Sequence, residues 1–321
     1  MESLKVCAII VTFNRKEWLL RCVKAVLAQS FKPSELIIVD NASTDGTSEY
    51  LAATGTINNS EITADAIVNV SNSDSNIKYF RLSNNQGGAG GFYWGLKLAH
   101  ASGEFDAFWL MDDDGYPSGD CLERQLPYLS QYDYVMPVSI DIDNHTRLSW
   151  ATKKKDGTKT EILEELQAEW GSVMPFIFPF NGSLLSKKLV DTVGYINPKL
   201  FIWGDDYEHY FRCLRSGFTP ITVLNAEFYH PVNKAPTVPI IGGRFQVPYV
   251  DSELRFVCLI RNWAYINKKN RRFLHLFKSL AAYSWLFLFT QKFNWSKYRL
   301  FLASYWDGLT NNFERHKRYL K

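Results

Sequence analysis

Apolar runs alternate with segments of helical periodicity through the N-terminal half of the chain. Such runs are typical of strands in a buried sheet, whereas apolar residues at three- and four-residue spacing predict amphipathic helices. The predicted strands are residues 5–12, 35–40, 77–82 and 105–111, and the longer predicted helices are residues 16–29 and 88–101. Because strands that alternate with helices build right-handed crossovers, the sequence predicts an α/β fold with a mostly parallel sheet flanked by helices.

Two polar segments and one change of composition organise the rest of the chain. Residues 54–76 are rich in Asn, Ser, Thr and Asp and are predicted to form a loop, and residues 141–172 are expected outside the core sheet. Near residue 250, Phe, Trp, Tyr, Lys and Arg become dominant. We therefore predict an α/β domain over residues 1–250 and a C-terminal helical extension over residues 251–321.

The cysteines and the N-terminus bear on the compartment. The chain has 321 residues and five scattered cysteines without a CxxC pair, which argues against a disulfide framework or a thiolate zinc site. No basic segment followed by an apolar stretch and a cleavage site opens the sequence. We therefore expect a protein of the reducing cytoplasm.

The charge of the chain is unevenly distributed. Residues 261–321 contain 13 Lys and Arg against 2 Asp and Glu, which leaves 23 basic against 31 acidic residues elsewhere. A basic, aromatic segment favours an anionic membrane surface or a nucleic acid as partner, although a solvated helical face has the same composition. Residues 273–289 are the most apolar run and are interrupted by His275 and Lys278. They predict an amphipathic helix at a membrane surface, with a buried or dimerising helix as the alternative.

Three adjacent carboxylates, Asp112, Asp113 and Asp114, directly follow the strand FDAFWLM. Ligands of open α/β sheets gather at the carboxyl ends of strands, and adjacent carboxylates repel unless a cation or hydrogen bonds compensate. The first and third can converge on one side, as alternate residues of a strand do. The triplet therefore predicts a site for Mn²⁺ or Mg²⁺, and an acidic turn is the alternative.

Polar residues also follow the second and third strands. Asp40 and Asn41 end the second strand, where an Asp commonly contacts a ribose or a base edge, although an Asx turn fits as well. The run from Asn84 to Gly91 opens a helix with glycines that leave amide groups free for a ligand. It does not fit GxGxxG and does not follow the first strand, so a dinucleotide site is disfavoured.

A second acidic cluster and a histidine lie further along the chain. The segment from Phe201 to Glu208 contains Asp205 and Asp206 at the start of a helical pattern. These carboxylates either cap the helix or act as a general base that takes a proton from an attacking hydroxyl, with Trp203 beside them to stack on a sugar ring. His230 ends a short strand and is either structural or a third metal ligand.

These motifs, in this order, carry a family resemblance. The segments AIIVTFNR and IIVDNASTDGT, the glycine-rich helix start, the Asp triplet and WGDDYEHYFR together cover residues 5–232. They resemble the inverting glycosyltransferases of family 2, which have the GT-A fold. The segments FNRKEWLLRCVKAVLAQ, NNQGGAGGF and WLMDDDG resemble bacterial galactofuranosyltransferases in particular. Gly204, which separates Trp203 from the Asp pair, departs from that pattern.

The resemblance implies transfer of galactofuranose from UDP-galactofuranose to a glycan or a lipid-linked saccharide in cell-surface polysaccharide synthesis. It implies Asp112, Asp114 and His230 as metal ligands and Asp206 as catalytic base, with Asp205 as second candidate. Together with the patterns above, the candidate donor-binding residues are Thr12, Arg15, Asp40, Asn41, Asn85, Asp113 and Trp203. A lipid-linked acceptor and the basic segment together predict peripheral association with the inner face of the plasma membrane.

Other functions remain open at this stage. A rhamnosyltransferase that uses dTDP-rhamnose shares much of the pattern. A non-catalytic sugar-binding protein would leave both acidic clusters unexplained. A nucleotidyltransferase would carry a glycine-rich, basic loop after the first strand, where Thr12 to Arg15 stand instead. We expect no nucleic-acid partner, and a homo-oligomer remains possible.

Overall fold

The computed structural model describes residues 4–72, 76–175, 180–232 and 236–320. The strands and long helices predicted for the first 111 residues are present. The elements of this part are β1 (Val6–Thr12), α1 (Lys16–Leu27), β2 (Glu35–Asp40), α2 (Thr47–Ala53), β3 (Ile67–Asn69), β4 (Ile77–Arg81), α3 (Gly87–Ala101) and β5 (Ala107–Asp112). The predicted loop 54–76 contains the short strand β3, and its residues 73–75 lie outside the described residues.

The middle of the chain adds strands that the sequence did not indicate, and it lengthens the predicted short strand that ends at His230. Its elements are β6 (Tyr116–Pro117), α4 (Cys121–Tyr132), β7 (Tyr134–Asp141), β8 (Arg147–Lys153), β9 (Lys159–Ile162), α5 (Leu163–Trp170), β10 (Val173–Met174), β11 (Asn181–Ser186), α6 (Lys187–Val193), α7 (Asp205–Arg215) and β12 (Ile221–His230). The polar segment 141–172, which was expected outside the core sheet, forms the hairpin β8–β9 and helix α5. Strand β8 pairs with β7, so the hairpin joins the sheet as a branch off its main path, and the prediction was wrong for β8.

The strand order places the ends of three strands together. The sheet runs β10-β12-β7-β11-β5-β1-β2-β4-β3. Strands β4, β2, β1 and β5 are mutually parallel, whereas β11 lies antiparallel between β5 and β7. The sheet is thus parallel over the four strands that were predicted within the first 111 residues, and it is mixed on the far side of β5. Thr12 pairs with Asp40 and Val11 with Asp112, so the polar ends of β1, β2 and β5 share one edge.

Helix α3 packs unusually close to the strand behind it. A Cβ atom at Gly91 would lie 2.3 Å from Val11, and one at Gly95 would lie 2.4 Å from Ile9. The helix can approach β1 this closely because both positions lack a side chain. At Gly88 nothing lies within 4 Å of such an atom. Part of the glycine-rich pattern, predicted as a ligand-binding feature, therefore serves packing.

Contacts divide the described chain into two compact units. We call residues 4–198 and 209–232 the sheet unit, and residues 199–208 and 236–320 the helical unit. The first four residues of α7 belong to the helical unit. The further elements of that unit are β13 (Thr237–Ile240), β14 (Phe245–Pro248), α8 (Glu253–Lys269), α9 (Phe273–Trp285), a π-helical turn (Leu286–Thr290), α10 (Trp295–Thr310) and a 3-10 turn (Arg315–Tyr319).

Helix α8 is the centre of the helical unit. Its N-cap is Ser252, whose hydroxyl accepts a hydrogen bond from the Arg255 amide at 3.5 Å. Helix α10 crosses it so closely that a Cβ at Gly308 would lie 2.2 Å from the Arg261 carbonyl oxygen. A separate apolar core, which includes Phe256, Phe287 and Phe301, fills the space between these helices.

One helical run among the described residues has the length and composition of a membrane span. It covers Phe273–Thr290, has a mean hydropathy of 1.2, and is 22% buried within the structure. Leu286 and Phe287 of this run are fully buried, whereas Leu274, Phe277 and Phe289 are exposed. The run is therefore two-sided, as the sequence predicted for an amphipathic helix.

Candidate functional site

The Asp triplet begins at the end of a strand and continues into a turn. Asp112 is the last residue of β5, and Asp113 and Asp114 are in a turn. The alternation that would bring the first and third carboxylates to one side therefore ends at Asp112. The side chains of Asp113 and Asp114 lie in different surroundings.

Asp113 is the most buried carboxylate of the triplet, with 3% exposure. Its Oδ2 accepts a hydrogen bond from the Thr12 hydroxyl at 2.7 Å, and its Oδ1 accepts one from Arg15 Nη1 at 3.0 Å. Burial raises the pKa of Asp113 to about 6, against the opposing charge of Arg15 and the bond from Thr12. Thr12 and Asp113, both predicted to contact the donor, thus bind one another and join the ends of β1 and β5.

Asp114 faces a histidine that is distant in sequence. Its Oδ1 lies 3.1 Å from His230 Nε2, and its Oδ2 accepts a hydrogen bond from Arg15 Nη1 at 2.8 Å. Burial raises the pKa of Asp114, but the bond and charge of His230 and the Arg15 guanidinium together hold it below its ordinary value. The structure therefore brings together two of the three predicted metal ligands, at the end of β12 and after β5.

The contacts of His230 favour a cation at this position. Its Nδ1 lies 2.6 Å from the Pro231 carbonyl, which can only accept, so Nδ1 carries a proton. Its Nε2 faces Asp114 Oδ1 at 3.1 Å. A carboxylate oxygen beside the nitrogen of a histidine that is oriented through its other nitrogen is a donor set found at divalent metal sites.

The predicted three-ligand set is not assembled. Across residues 4–72, 76–175, 180–232 and 236–320, no group of three His, Cys, Asp or Glu side chains is gathered to hold a metal. The prediction for Asp112 assumed an extended backbone through Asp114, whereas the strand ends at Asp112. Two protein ligands are sufficient where substrate phosphates and water complete the shell, as is usual for Mg²⁺.

Asp40 and Asn41 hold the protein backbone. Asp40 accepts hydrogen bonds from the Ser43 amide and the Tyr79 hydroxyl, both at 2.8 Å. Asn41 accepts one from the Gln86 amide at 2.8 Å and donates one to the Gly87 carbonyl at 2.8 Å. The contact of Asp40 with the Ser43 amide is the Asx turn that the sequence analysis gave as the alternative to a ligand contact. The contacts of Asn41 connect the end of β2 to the start of α3. The contact of Asp40 and Asn41 with a donor stays a prediction.

Asn85 has a similar role at the start of α3. Its Oδ1 accepts a hydrogen bond from the Gly87 amide at 2.8 Å, and Gly87 has a positive φ of 71°. The side chain thereby satisfies one of the amides that a helix N-terminus leaves unpaired. The donor contact predicted for Asn85 likewise remains a prediction.

A cavity of about 470 Å³ opens beside the end of β2. Its wall includes Asp40, Ser43, Thr47, Ser60 and Arg81. The Arg81 Nε lies 3.6 Å from Asp40 Oδ2, and its Nη2 donates to the Ser43 carbonyl at 2.8 Å. The cavity is polar, lies in the sheet unit at the edge where β1, β2 and β5 end, and is large enough for a planar base.

Sequence reasoning missed Arg81 and Trp150. Arg81 ends β4, one strand beyond Asp40, and its position directly opposite Asp40 in the parallel register could have indicated it. The ring of Trp150, on β8, packs against that of His230 with centroids 4.7 Å apart. No local signal predicts the second contact, because Trp150 and His230 are 80 positions apart in sequence.

The second acidic cluster lies in the helical unit. Asp205 and Asp206 begin α7, and Asp205 is 9% exposed. Burial raises the pKa of both carboxyls above the ordinary range, and for Asp205 the charge of Asp206 adds to the shift. Trp203, two residues earlier, is 38% exposed and has a positive φ of 64°. A buried carboxyl with a raised pKa is the property expected of a general base that works near neutral pH.

Comparisons with known proteins agree with the predicted family. Residues 7–193 match the family described as Glycosyl transferase family 2. The galactofuranosyltransferase GlfT1 of Mycolicibacterium smegmatis is 30% identical over 294 residues, which cover 89% of this chain and 91% of that protein. The GlfT1 of Mycobacterium tuberculosis is 30% identical over 292 residues, with 89% and 90% covered. The predicted resemblance to galactofuranosyltransferases is thereby confirmed.

Two solved structures share the fold. The mannosyltransferase PcManGT from Pyrobaculum calidifontis, in complex with GDP-Man and Mn²⁺, has a TM-score of 0.51 and 17% identity, covering 84% of this chain and 64% of its own. GalNAc-T7 with UDP, GalNAc and Mn²⁺ has a TM-score of 0.52 and 13% identity, covering 83% of this chain and 48% of its own. At such identities the similarity concerns the fold, and it confirms the predicted GT-A type.

Proposed function

Because this chain belongs to glycosyl transferase family 2, we propose that it transfers galactofuranose, with inversion, from UDP-galactofuranose to a hydroxyl of a glycan or lipid-linked saccharide. The observation that carries the choice of sugar is the 30% identity to galactofuranosyltransferase GlfT1 over 294 residues, or 91% of that protein. Glycosyl transfer itself follows from the family. The donor, the acceptor and the stereochemistry are the proposal.

We propose that Asp114 and His230 hold Mn²⁺ or Mg²⁺, with Asp112 as a further ligand. The support is geometric: a buried carboxylate oxygen of Asp114 lies 3.1 Å from His230 Nε2, and the His230 ring is oriented by the contact of its Nδ1 with the Pro231 carbonyl. When bound, the cation supplies positive charge to the diphosphate of the donor, which is the leaving group. Both solved neighbours named above carry Mn²⁺.

The chain's own side chains supply the remaining roles. Arg15 is half exposed and places a guanidinium beside Asp114, where it can bind a phosphate oxygen. Asp206 takes the proton of the attacking hydroxyl, and the raised pKa of the Asp pair suits it to this transfer. Asp205 is the alternative base. The exposed ring of Trp203 offers a face on which a sugar can stack.

A donor screen tests this assignment. Purified protein is incubated with UDP-galactofuranose, UDP-galactopyranose or dTDP-rhamnose, each with Mn²⁺ and with excess chelator, and release of the nucleotide is measured. We expect the fastest release from UDP-galactofuranose and its loss with chelator. If only dTDP-rhamnose were turned over, dTDP-rhamnose and not UDP-galactofuranose would be the donor. If excess chelator left the rate of nucleotide release undiminished, the proposed role of the cation would be wrong.

We also propose that the helical unit docks on an anionic membrane surface. The docking face consists of exposed apolar residues on α9 and the segment that follows it, namely Leu274, Phe277, Trp285, Phe289, Phe293 and Trp295. The last four form a continuous row, with ring centroids 4.6, 6.4 and 6.1 Å apart in sequence order. An exposed apolar row of this extent indicates an interaction surface.

Charge identifies the partner of the docking face. From residue 261 to residue 306 the sequence contains nine Lys and Arg and no Asp or Glu. Two of these, Lys278 and Lys292, are exposed, and in sequence they lie directly after Phe277 and directly before Phe293 of the docking face. Each basic residue near an anionic surface contributes about 1 kcal/mol, whereas a second copy of the same face would bring like charges together. Because Leu286 and Phe287 are buried in the unit's own core, the helix lies at the interface and does not span the bilayer.

Flotation with vesicles tests the docking face. The full chain should float with phosphatidylglycerol vesicles at low salt and be released from them in high salt. With phosphatidylcholine vesicles it should stay in the bottom fraction of the gradient. Phe277→Ser should reduce flotation several-fold, while Ile67→Ser, which alters an exposed apolar residue of the sheet unit, should not. Docking would be refuted if the Phe277→Ser variant floated like the wild type. It would also be refuted if the wild type formed a dimer in the absence of vesicles and Phe277→Ser dissociated that dimer.

A further inference from the structure

The turn that leads into the acidic pair has an uncommon backbone. Phe201, Trp203 and Gly204 have φ angles of 67°, 64° and 84°. Left-handed backbone is disfavoured for residues other than glycine, and it is rarest for bulky ones such as Phe and Trp. Such a conformation persists only where surrounding contacts impose it. The contacts that impose this conformation come from helix α8.

Asn262 of α8 binds the carbonyl groups of the turn. Its Nδ2 lies 2.9 Å from the Leu200 oxygen, 2.9 Å from the Ile202 oxygen and 2.7 Å from the Trp203 oxygen. The side chain is 1% exposed, so these carbonyls meet it in place of water. Three carbonyl groups that converge on one amide fix the direction of the backbone on both sides of Trp203.

Arg261 holds the same turn from the neighbouring position. Its guanidinium is fully buried and donates to the carbonyls of Leu200 at 2.8 Å and Phe313 at 3.3 Å. Its other described acceptors are also neutral, namely Asn262 Oδ1, His316 Nδ1 and Cys258 Sγ. Burial of a guanidinium among neutral groups is unfavourable in itself, and burial lowers its pKa. Its geometric effect is to join the turn to α8 and to the C-terminal segment.

The Phe201–Gly204 turn determines where helix α7 begins. The Glu208 amide donates to the Gly204 carbonyl at 2.8 Å, which is the first helical bond after the turn. Asp205 and Asp206 stand between these two residues, in the first turn of the helix. A rotation of the Trp203 or Gly204 backbone would therefore rotate both carboxyl groups. The orientation of the acidic pair depends on the contacts of Asn262 and Arg261.

We propose that Asn262, with Arg261, is a positioning residue for catalysis, because α8 fixes the strained Phe201–Gly204 turn and thereby aims Trp203 and the Asp205–Asp206 pair. This inference rests on the proposed function, in which Asp206 is the base and Trp203 contacts a sugar. It assigns to the helical unit a part in the chemical step, separate from membrane docking.

Asn262→Ala is the direct test, and Asn267→Ala is its matched control. Asn267 is a buried asparagine on the same helix, and its side chain is not among the described hydrogen-bond partners of the turn. We expect Asn262→Ala to lower the kcat of sugar transfer at least tenfold with the KM for the donor within twofold, and Asn267→Ala to leave both within twofold. Amide exchange over residues 200–208 should accelerate in Asn262→Ala alone.

A second variant disturbs the turn from its own side. At Gly204 a Cβ would lie 3.0 Å from Ile266 Cδ1, and the φ of 84° is unfavourable for alanine. Gly204→Ala should therefore reproduce the kinetic effect, and the double variant with Asn262→Ala should lose less than the product of the two losses. This variant also decides the matter if Asn262→Ala does not fold.

The outcomes separate the two proposals. Unchanged exchange over residues 200–208 in Asn262→Ala, or faster exchange without a loss of kcat, would overturn the positioning role. A rise in donor KM at constant kcat would overturn it as well, because the turn would then serve binding. A wild-type enzyme that turns over none of the nucleotide sugars would instead be a failure of the proposed function, while exchange would still show whether α8 holds the turn.

Discussion

The candidate donor site of the sheet unit and the acidic pair of the helical unit hold buried charge in opposite ways. In the sheet unit, buried carboxylates have cationic partners: Asp113 pairs with Arg15 at 3.0 Å, and Glu35 pairs with Lys78 at 2.7 Å. In the helical unit, the buried Asp307 also pairs with Arg315, but Asp205 and Asp206 are adjacent, and the charge of Asp206 adds to burial in raising the pKa of Asp205. The fully buried Arg261 meets neutral acceptors in its described hydrogen bonds.

This difference indicates a division of chemical work. A buried carboxylate that is paired with a cationic side chain stays ionised at a smaller free-energy cost than an unpaired one. It can also exchange that partner for a ligand, which suits the binding of a diphosphate with its cation. Unbalanced buried charge costs stability, and a raised carboxyl pKa near neutrality suits proton transfer. We therefore expect substitutions in the sheet unit to change donor and metal binding, and substitutions at the acidic pair to change the chemical step alone.

Asp114→Ala gives the largest expected effect and tests the first half of this comparison. The variant should lose transfer by about 10⁴-fold, because a metal ligand supports several kcal/mol of charge stabilisation. Binding of Mn²⁺, measured by calorimetry in the presence of UDP, should weaken in parallel. The fold should persist, since Asp114 is a turn residue and its loss removes a like charge beside Asp113. Asp120→Ala, a surface carboxylate of the same unit, is the control.

The division would be wrong if Asp114→Ala kept wild-type affinity for Mn²⁺ or transferred sugar at an undiminished rate. Loss of transfer with intact Mn²⁺ binding would also count against it. Asp114 would then act in chemistry, and the cation would have to be held by other residues.

Much of the sheet unit could be predicted from the sequence because its signals are local. The apolar runs of β1, β2 and β5 define buried strands directly, and parallel order places their ends together. The residues themselves left His230 open between a structural residue and a metal ligand, and the family resemblance decided for the pair Asp114–His230, since 115 residues separate the two positions. The convergence of Asp112 with Asp114 could not be judged from the sequence, because no local pattern indicates that β5 ends at Asp112.

The helical unit was harder to predict for a physical reason. Arg261 belongs to a basic segment whose composition suggested solvated or membrane-facing side chains, yet it is fully buried. Its contacts join α8 to Leu200, about 60 residues earlier in the chain. The left-handed backbone of Phe201 and Trp203 also has no sequence signal, because bulky residues rarely adopt it. Tertiary contacts, not local preference, determine this turn.

Asp206→Asn tests the second half of the comparison. We expect kcat to fall about 10³-fold with the donor KM nearly unchanged, because the substitution removes proton transfer and leaves the diphosphate contacts intact. In the wild type, burial raises the carboxyl pKa, so the active ionised form should be lost as pH falls through a value above the ordinary range of about 4. The residual activity of the variant should lack this acidic limb.

Asp205→Asn serves as the companion measurement for the same pair. If Asp206 is the base, Asp205→Asn removes a neighbouring carboxylate and should reduce kcat much less. An Asp205→Asn variant that loses kcat and the acidic limb while Asp206→Asn retains them would exchange the two roles. Loss of donor affinity in Asp206→Asn with an unchanged kcat would instead end the proposed division between the units.

Gly91→Ala gives the smallest expected effect and concerns stability within the sheet unit. A methyl group at Gly91 would lie 2.3 Å from Val11 and must displace α3 from β1, whereas one at Gly88 meets no atom within 4 Å. Gly91→Ala should lower the free energy of unfolding by about 1–3 kcal/mol. Gly88→Ala, on the same helix, should be neutral or raise it by up to about 1 kcal/mol. Urea titration of both variants measures the contrast. Equal stability of the two would mean that the glycine-rich segment is not required for packing, and its glycines would then be attributed to donor binding, as the sequence first indicated.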